Sequence, residues 1–312
     1  MEQYDFLIIG AGGTGLAAAM YSARLGLKTL VLGFSQGTEL PVGGVITTTH
    51  LVENYPGFTK LSGMELAKKL EEHARDYDLV TIKQEKVVSV KKSGKIFSVK
   101  TTKSEYKTKT ILFATGTKWK KLPKNVKGSL EFENRGVSYC ALCDGPIYRD
   151  KIIAVIGGSD SAAKDALLLS EFAKKVYIIY RGEQIHPEPI NLKRIQENKK
   201  IEVVNNTNII EVKGDKAVTS VILDKPYKGK KELEVQGVFV AIGHIVLSEL
   251  AKTLGVSTNT HDEIKINHKT SETNIPGVFA AGDVTDKQFK QLITGVADGC
   301  TAAYSAYEYI NN

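Results

Sequence analysis

Cysteine is scarce in this chain: three in 312 residues, Cys140, Cys143 and Cys300. Three cannot build the disulfide framework of a small secreted domain. No run approaches 18 consecutive apolar residues, which excludes a transmembrane helix. A signal peptide needs a basic start, a longer apolar core and a small-residue cleavage site. The chain instead opens with Glu2 and Asp5 ahead of a short apolar run, Phe6 to Ile9. The expectation is therefore a cytoplasmic protein with no membrane partner. The six histidines show no ligand spacing, and no metal is expected. No low-complexity linker interrupts the sequence.

Acids are almost missing from one stretch. Residues 83–127 hold 14 lysines against Glu85 and Glu105 only, a charge of +12, while the whole chain carries +7. The remainder is therefore mildly acidic. Two readings fit the stretch. One is a solvated β face whose lysines keep sheet edges from pairing. The other is a steering surface for an acidic protein partner. Nucleic acid is not expected, since no helix presents a basic face and no aromatic stacking pattern accompanies the charge.

What is present in quantity is glycine, 28 residues, and its placement is informative. Residues 4–9 read as a buried strand. Gly10-Ala11-Gly12-Gly13-Thr14-Gly15 follows, then a helical run from about Thr14 to Leu25 and a second strand, Lys28 to Leu32. In this G-x-G-x-x-G pattern Gly10 permits the tight turn. Gly12 lets backbone approach a pyrophosphate, and Gly15 lets helix and strand pack closely. The same order recurs 147 residues later. A strand at Ile152 to Ile156 leads into Gly157-Gly158-Ser159-Asp160-Ser161-Ala162, a helix to Phe172 and a strand from Lys175 to Tyr180. Here Ser159 stands where the second glycine belongs. Two such units predict two dinucleotide sites; the competing reading for each is a glycine turn with no ligand.

Each unit is followed by meander-like strands, over residues 85–112 and 201–240. Each meander is followed by an apolar strand ending in small residues: Ala114-Thr115-Gly116 and Ala241-Ile242-Gly243. Val278 to Asp283 gives one more strand and turn, before a long helix to about Ile310. At about 150 residues per domain the length suggests two domains. Cuts near 117 and 244 give residues 1–117 with 244–312 as one discontinuous domain, and 118–243 as an inserted one. The fold class is α/β, with two Rossmann-like dinucleotide-binding domains.

Cys140-Ala141-Leu142-Cys143 is a C-x-x-C pair. Such a pair sits well at a helix start, where the dipole favours a thiolate, and closes a small reducible disulfide. The competing readings are a zinc half-site, which lacks a second pair, and inert core thiols. Cys300 reads as a buried packing residue.

These features resemble the low-molecular-weight thioredoxin reductases, and the resemblance runs along nearly the whole chain. It rests on Cys140-Ala141-Leu142-Cys143-Asp144-Gly145 and on Thr47-Thr48-Thr49 followed by Val52-Glu53-Asn54-Tyr55-Pro56-Gly57. The Ala114-Thr115-Gly116 turn, Gly282-Asp283-Val284, Lys290-Gln291 and Gly299-Cys300 complete it. The resemblance implies FAD on the outer domain and a nicotinamide cofactor on the inner one. It implies that Cys143 lies nearer the flavin, that Cys140 attacks the disulfide of a thioredoxin-like protein, and that Asp144 moves the proton. Gly10, Gly12 and Gly15 would hold the pyrophosphate, with Ala114 and Gly116 beside the cofactor. Asp283 would accept from the ribityl chain, and Asn54 and Gln291 would lie near the isoalloxazine. For Asn54 a plain turn role is the alternative. Gly157, Ser161 and Arg181 would line the nicotinamide cofactor. A homodimer and a rotating inner domain are also implied.

The sequence departs from the expected pattern in three places. The dinucleotide fingerprint expects an acid about 20 residues on, and none follows the first motif before Glu39, a feature that thioredoxin reductases often share and that weighs little against FAD. Where the family carries His-Arg-Arg to clamp a 2′-phosphate, this chain reads Tyr180-Arg181-Gly182-Glu183. Ser159 adds a side chain at the close-approach position. The expectation is thus a thioredoxin-disulfide reductase with altered donor preference: weak NADPH, NADH, or another reductant such as ferredoxin or a deazaflavin. Two rival readings are a flavin-dependent dithiol oxidase and a flavin-bound regulatory protein.

Overall fold

The computed structural model describes residues 2–35 and 40–312; Glu39, noted above, lies outside them. The chain begins β1 (Glu2–Ile9), α1 (Gly13–Arg24), β2 (Thr29–Gly33), α2 (Gly63–Arg75), β3 (Val80–Gln84), β4 (Val87–Ser93), β5 (Ile96–Thr101) and β6 (Glu105–Phe113). It continues with β7 (Thr117–Trp119), β8 (Val137–Ser138), α3 (Ala141–Asp144), β9 (Ile152–Ile156), α4 (Asp160–Phe172), β10 (Lys175–Ile179), α5 (Pro189–Glu197) and β11 (Ile201–Val204). Then come β12 (Ile209–Gly214), β13 (Val218–Tyr227), β14 (Lys230–Glu234), β15 (Gly237–Val240) and β16 (His244–Val246). The chain closes with α6 (Glu249–Thr253), β17 (Val278–Ala280) and α7 (Leu292–Asn311).

Two compact units result: residues 1–118 with 246–312, and residues 119–245. The paired strands β7 and β16 carry the chain across the two boundaries. Among the described residues no helix is long and apolar enough to cross a membrane.

In the outer unit, β3, β2, β1, β6 and β17 lie side by side and parallel. β4 and β5 extend the sheet as an antiparallel meander along the other half of β6. β1 reads as a near-continuous apolar run because both its faces are covered. Tyr4, Leu7 and Ile9 enter one core cluster, and Phe6 and Ile8 enter the other. The helix α2 starts at a capping box, in which Ser62 accepts from Glu65 N–H and Glu65 accepts from Ser62 N–H. Leu66 and Ala74 turn inward, with Leu70 packed beside them.

The inner unit repeats the parallel order as β11, β10, β9, β15 and β8, beside a separate three-stranded sheet β12, β13, β14. Its core is built on Ile153, Val155, Val176, Ile178 and Phe239. In both units the glycine turn leaves the carboxyl end of the central strand, with the second strand on one side and the returning strand on the other. That is where open α/β sheets bind dinucleotides.

Candidate functional site

The first turn is built by steric necessity at two glycines and by openness at a third. Gly10 has φ +117°, and a Cβ there would sit 2.2 Å from the Ala114 carbonyl oxygen. A Cβ on Gly15 would sit 1.9 Å from the Gly10 oxygen. Gly12 differs. Its φ is −75°, and a Cβ would come no closer than 3.9 Å to Gly43 and Gly44. The fold itself does not demand glycine at that position. A ligand that must approach the backbone does, so the residues fit a dinucleotide pyrophosphate. The first turn of α1 has no acid and no side-chain cap, which leaves its N–H groups facing outward for an anion.

Helix α7 is drawn against α1 by small residues. A Cβ on Gly299 would lie 2.3 Å from Thr14 O, and one on Gly295 would lie 2.6 Å from Thr14 Oγ1. This crossing brings the start of α7 to the glycine turn. Gln291 caps α7, and Asn54 Nδ2 donates to Gln291 Oε1 at 3.0 Å. Asp283 sits in the turn after β17, where burial pushes its carboxyl above the usual carboxylate range. Lys290 reaches the Asp283 carbonyl at 3.0 Å and pairs with Glu263. Ala114 follows β6 directly, beside Gly10, and Gly116 comes two residues later with φ +60° and open space around it. The outer unit therefore gathers Gly10, Gly12, Gly15, Asn54, Ala114, Gly116, Asp283 and Gln291 at the carboxyl end of one sheet.

The inner unit holds the dithiol. Cys140 and Cys143 are joined as a disulfide. Cys140 is the N-cap of the short α3, and its Sγ accepts from Cys143 N–H at 3.1 Å. A hydrogen bond of that kind favours the thiolate once the bond is reduced. Cys143 is exposed, whereas Cys140 is 4% exposed. Asp144 closes the same turn, and Ser138 Oγ donates to its Oδ2 at 2.6 Å while accepting from Cys140 N–H at 3.1 Å. Burial pushes the Cys300 thiol up to about 11, so it stays protonated.

The second glycine turn also ends a central strand. Gly157 has φ +147°, and a Cβ would lie 2.2 Å from Ala241 O, repeating the relation of Gly10 to Ala114. Ser161 and Arg181 are exposed. α4 opens on Asp160, whose carboxylate pairs with Lys164 and accepts from Glu188 N–H and Asn191 Nδ2.

Sequence reading alone missed Ser138, Tyr180 and the Gly43–Gly44 segment that lies along Gly12. Ser138 carried a usable signal, a hydroxyl two residues before Cys140. The placement of Gly43 had none, because its contact with the glycine turn is long-range.

Two parallel sheets with glycine turns, one unit carrying a C-x-x-C disulfide, define a dinucleotide-dependent disulfide oxidoreductase. The chain belongs to the pyridine nucleotide-disulphide oxidoreductase family, whose sequence pattern matches residues 4–299. It is 37% identical to a thioredoxin reductase of Bacillus subtilis (strain 168), over 98% of this chain and 95% of that protein. The crystal structure of Lactococcus lactis thioredoxin reductase (FR conformation) superposes with TM-score 0.91 at 37% identity, covering 99% of both chains. A ferredoxin-flavin thioredoxin reductase from Clostridium acetobutylicum gives TM-score 0.53 at 33% identity, over 100% of this chain and 99% of that one.

Proposed function

We propose that this chain is a flavin-dependent thioredoxin-disulfide reductase, acting through Cys140 and Cys143 on the disulfide of a thioredoxin-like protein. The observation that carries the reading is the Cys140–Cys143 disulfide at a helical start, with Asp144 hydrogen-bonded beside it. The likeness to thioredoxin reductases over the whole chain supports it.

Gly10, Gly12 and Gly15 would hold the FAD pyrophosphate at the N-terminus of α1. Asp283 would accept from the ribityl hydroxyls, and Asn54 and Gln291, bonded to each other, would lie beside the ring system. When bound, FAD supplies the two-electron step that opens the Cys140–Cys143 disulfide to a dithiol. The thiolate of Cys140 then attacks one sulfur of the partner disulfide, and the other partner sulfur leaves as a thiolate that takes a proton. Cys143, losing its proton, attacks Cys140 in the mixed disulfide. The bond between Cys140 and the partner breaks, the partner leaves as a dithiol, and the Cys140–Cys143 disulfide is restored. Asp144 accepts and returns the protons, held in place by Ser138.

Gly157 and Ser161 belong to the second glycine turn and Arg181 follows β10; these are the residues that a nicotinamide donor would use. NADPH, NADH, a ferredoxin and a deazaflavin are the donors to compare; one structural neighbour is a ferredoxin-flavin thioredoxin reductase. The reading includes a homodimer in the cytoplasm, which light scattering and fractionation test.

The direct test uses Cys143→Ser and Cys140→Ser holoenzymes with a disulfide-containing thioredoxin. Cys143→Ser accumulates a covalent mixed disulfide through Cys140, seen by mass spectrometry, and Cys140→Ser does not. An adduct formed only by Cys140→Ser reverses the two roles. Full turnover in Cys140→Ser sinks the function.

A further inference from the structure

Tyr180, the residue after β10, follows Gly157 by a little over 20 positions. In a dinucleotide fold the end of the second strand lies beside the adenosine ribose, and the glycine turn lies under the pyrophosphate. The phenol ring of Tyr180 spans these two places. A Cβ built on Gly158 would fall 2.4 Å from Tyr180 Cδ2 and 2.5 Å from its Cγ. A Cβ on Gly182 would fall 2.5 Å from Cε1 and 2.9 Å from the hydroxyl oxygen. Neither glycine has a left-handed φ. Both are glycine for one physical reason, which is to leave room for this ring. Three further contacts hold the cover down. His186 N–H donates to Gly158 O at 2.8 Å, the Tyr180 hydroxyl faces His186 Nδ1 at 3.4 Å, and Asn206 N–H donates to Gly182 O at 2.8 Å.

The outer unit shows the opposite arrangement at equivalent positions. By strand register, Ile9 pairs with Leu32 as Ile156 pairs with Ile179. The residue after the second-strand partner is therefore Gly33 in one unit and Tyr180 in the other, and Ala11 corresponds to Gly158. One strand end carries no side chain; the other carries an aromatic ring laid back over the turn. At the close-approach position the pair is Gly12, left open, against Ser159. The first helical turn has no acid in α1 and has Asp160 in α4.

We propose that Tyr180 closes the second dinucleotide turn, so that this chain does not bind NAD(P)H tightly at the site its fold provides. This deepens the donor half of the proposed function and rests on that reading. The ring fills the ribose side, Ser159 narrows the pyrophosphate side, and a lone Arg181 beside Glu183 offers little to a 2′-phosphate. Electrons then enter from a reductant that needs no nucleotide cleft in this unit.

The test is equilibrium binding of NADP⁺ and NAD⁺ to the FAD-loaded chain by calorimetry, which moves no electrons. The unaltered chain gives no saturable binding below ~1 mM for either, and Tyr180→Ala binds at least about tenfold more tightly. Tyr180→Phe keeps the ring and stays closed. A dissociation constant of roughly 10 μM or tighter in the unaltered chain overturns the proposal. So does weaker binding by Tyr180→Ala, which would mean that the ring stacks on adenine. Should Tyr180→Ala fail to fold, Gly158→Ala is the second variant. Its Cβ collides with the ring, so it lowers the melting temperature while loosening the cover, and nucleotide binding tightens. Unchanged melting and binding in that variant also overturn the proposal. Dithionite-reduced holoenzyme is assayed separately with oxidised thioredoxin. Failure there removes the reductase function and leaves the nucleotide result standing.

Discussion

Ser138 Oγ and Asp144 Oδ2 share a 2.6 Å hydrogen bond, and the same hydroxyl accepts the N–H of Cys140. The serine ties the carboxylate proposed to handle the proton to the backbone of the cysteine proposed to attack. A positioned acid–base group contributes on the order of 10²–10⁴-fold to a proton-coupled step. Asp144→Asn should therefore slow reduction of the partner disulfide by about 10²-fold. Ser138→Ala, which leaves the carboxylate but frees its orientation, should cost less, roughly tenfold. Rapid mixing of pre-reduced enzyme with partner reads both. Equal rates for Ser138→Ala and the parent would show that the bond positions nothing.

The three glycines of the first turn separate folding from binding. Gly15→Ala places a methyl 1.9 Å from a carbonyl oxygen, so it should destabilise even the flavin-free chain, by about 1–3 kcal/mol or more. Gly12→Ala meets nothing within 3.9 Å. It should leave the flavin-free melting temperature unchanged and weaken FAD binding at least about tenfold. Thermal melts without FAD and a fluorescence titration with it distinguish the two.

Glu202 on β11 is gripped by Lys175, Lys228 and Tyr227. Those hydrogen bonds and charges pull its carboxyl from the ordinary 4.5 down to about 2. The folded state therefore favours the ionised form. The resulting stability is fully present above pH 4.5 and is lost as pH falls toward 2. Glu202→Gln should lower stability by roughly 1 kcal/mol at pH 7, given the exposed Lys228. The gap between variant and parent should shrink across that acid window. A gap independent of pH would show that packing, not charge, is what the substitution removes.

The lysine-rich stretch divides into two parts. On the meander, Val90, Phe97, Val99 and Tyr106 face the core, while Lys91, Lys100 and Lys107 occupy the opposite face. That is the alternation of a half-buried sheet, and it explains those lysines without a partner. Lys118, Lys120 and Lys121 follow the meander, with Lys121 paired to Glu133. Reversing these three to Glu should lower the rate of partner association at low salt by about tenfold and flatten its salt dependence. Reversing Lys91, Lys100 and Lys107 should leave both unchanged. Equal effects from the two triples would assign steering to overall charge.

Legibility in the sequence followed the range of the contact. The β1–turn–α1–β2 unit and its repeat could be read because each is continuous, and their glycines answer to neighbours fixed by the same local fold. The C-x-x-C pair was legible for the same reason. The bond between Asn54 and Gln291 spans 237 positions, and no local pattern announces it. In the sequence Gly158 is simply part of a phosphate turn. Its actual neighbour is the ring of Tyr180, which the composition of the turn does not encode. Ser159 and the missing arginines point in the sequence to a changed donor site, and the packed ring adds a steric reason for the one proposed above that no local pattern carries.

The order in which the strands are completed bears on how this protein is made. By residue 240 the inner sheet has all five of its strands, whereas the outer sheet still lacks β17 and the cover of α7. On the ribosome the inserted unit can fold while the outer one remains unfinished, since domains fold as units during synthesis. Gly295 and Gly299, which dock α7 on Thr14, emerge more than 50 residues after the inner sheet is complete. The flavin cradle therefore matures only once α7 has been made, and a chain cut before Leu292 would leave a folded dithiol unit beside an unfinished flavin site.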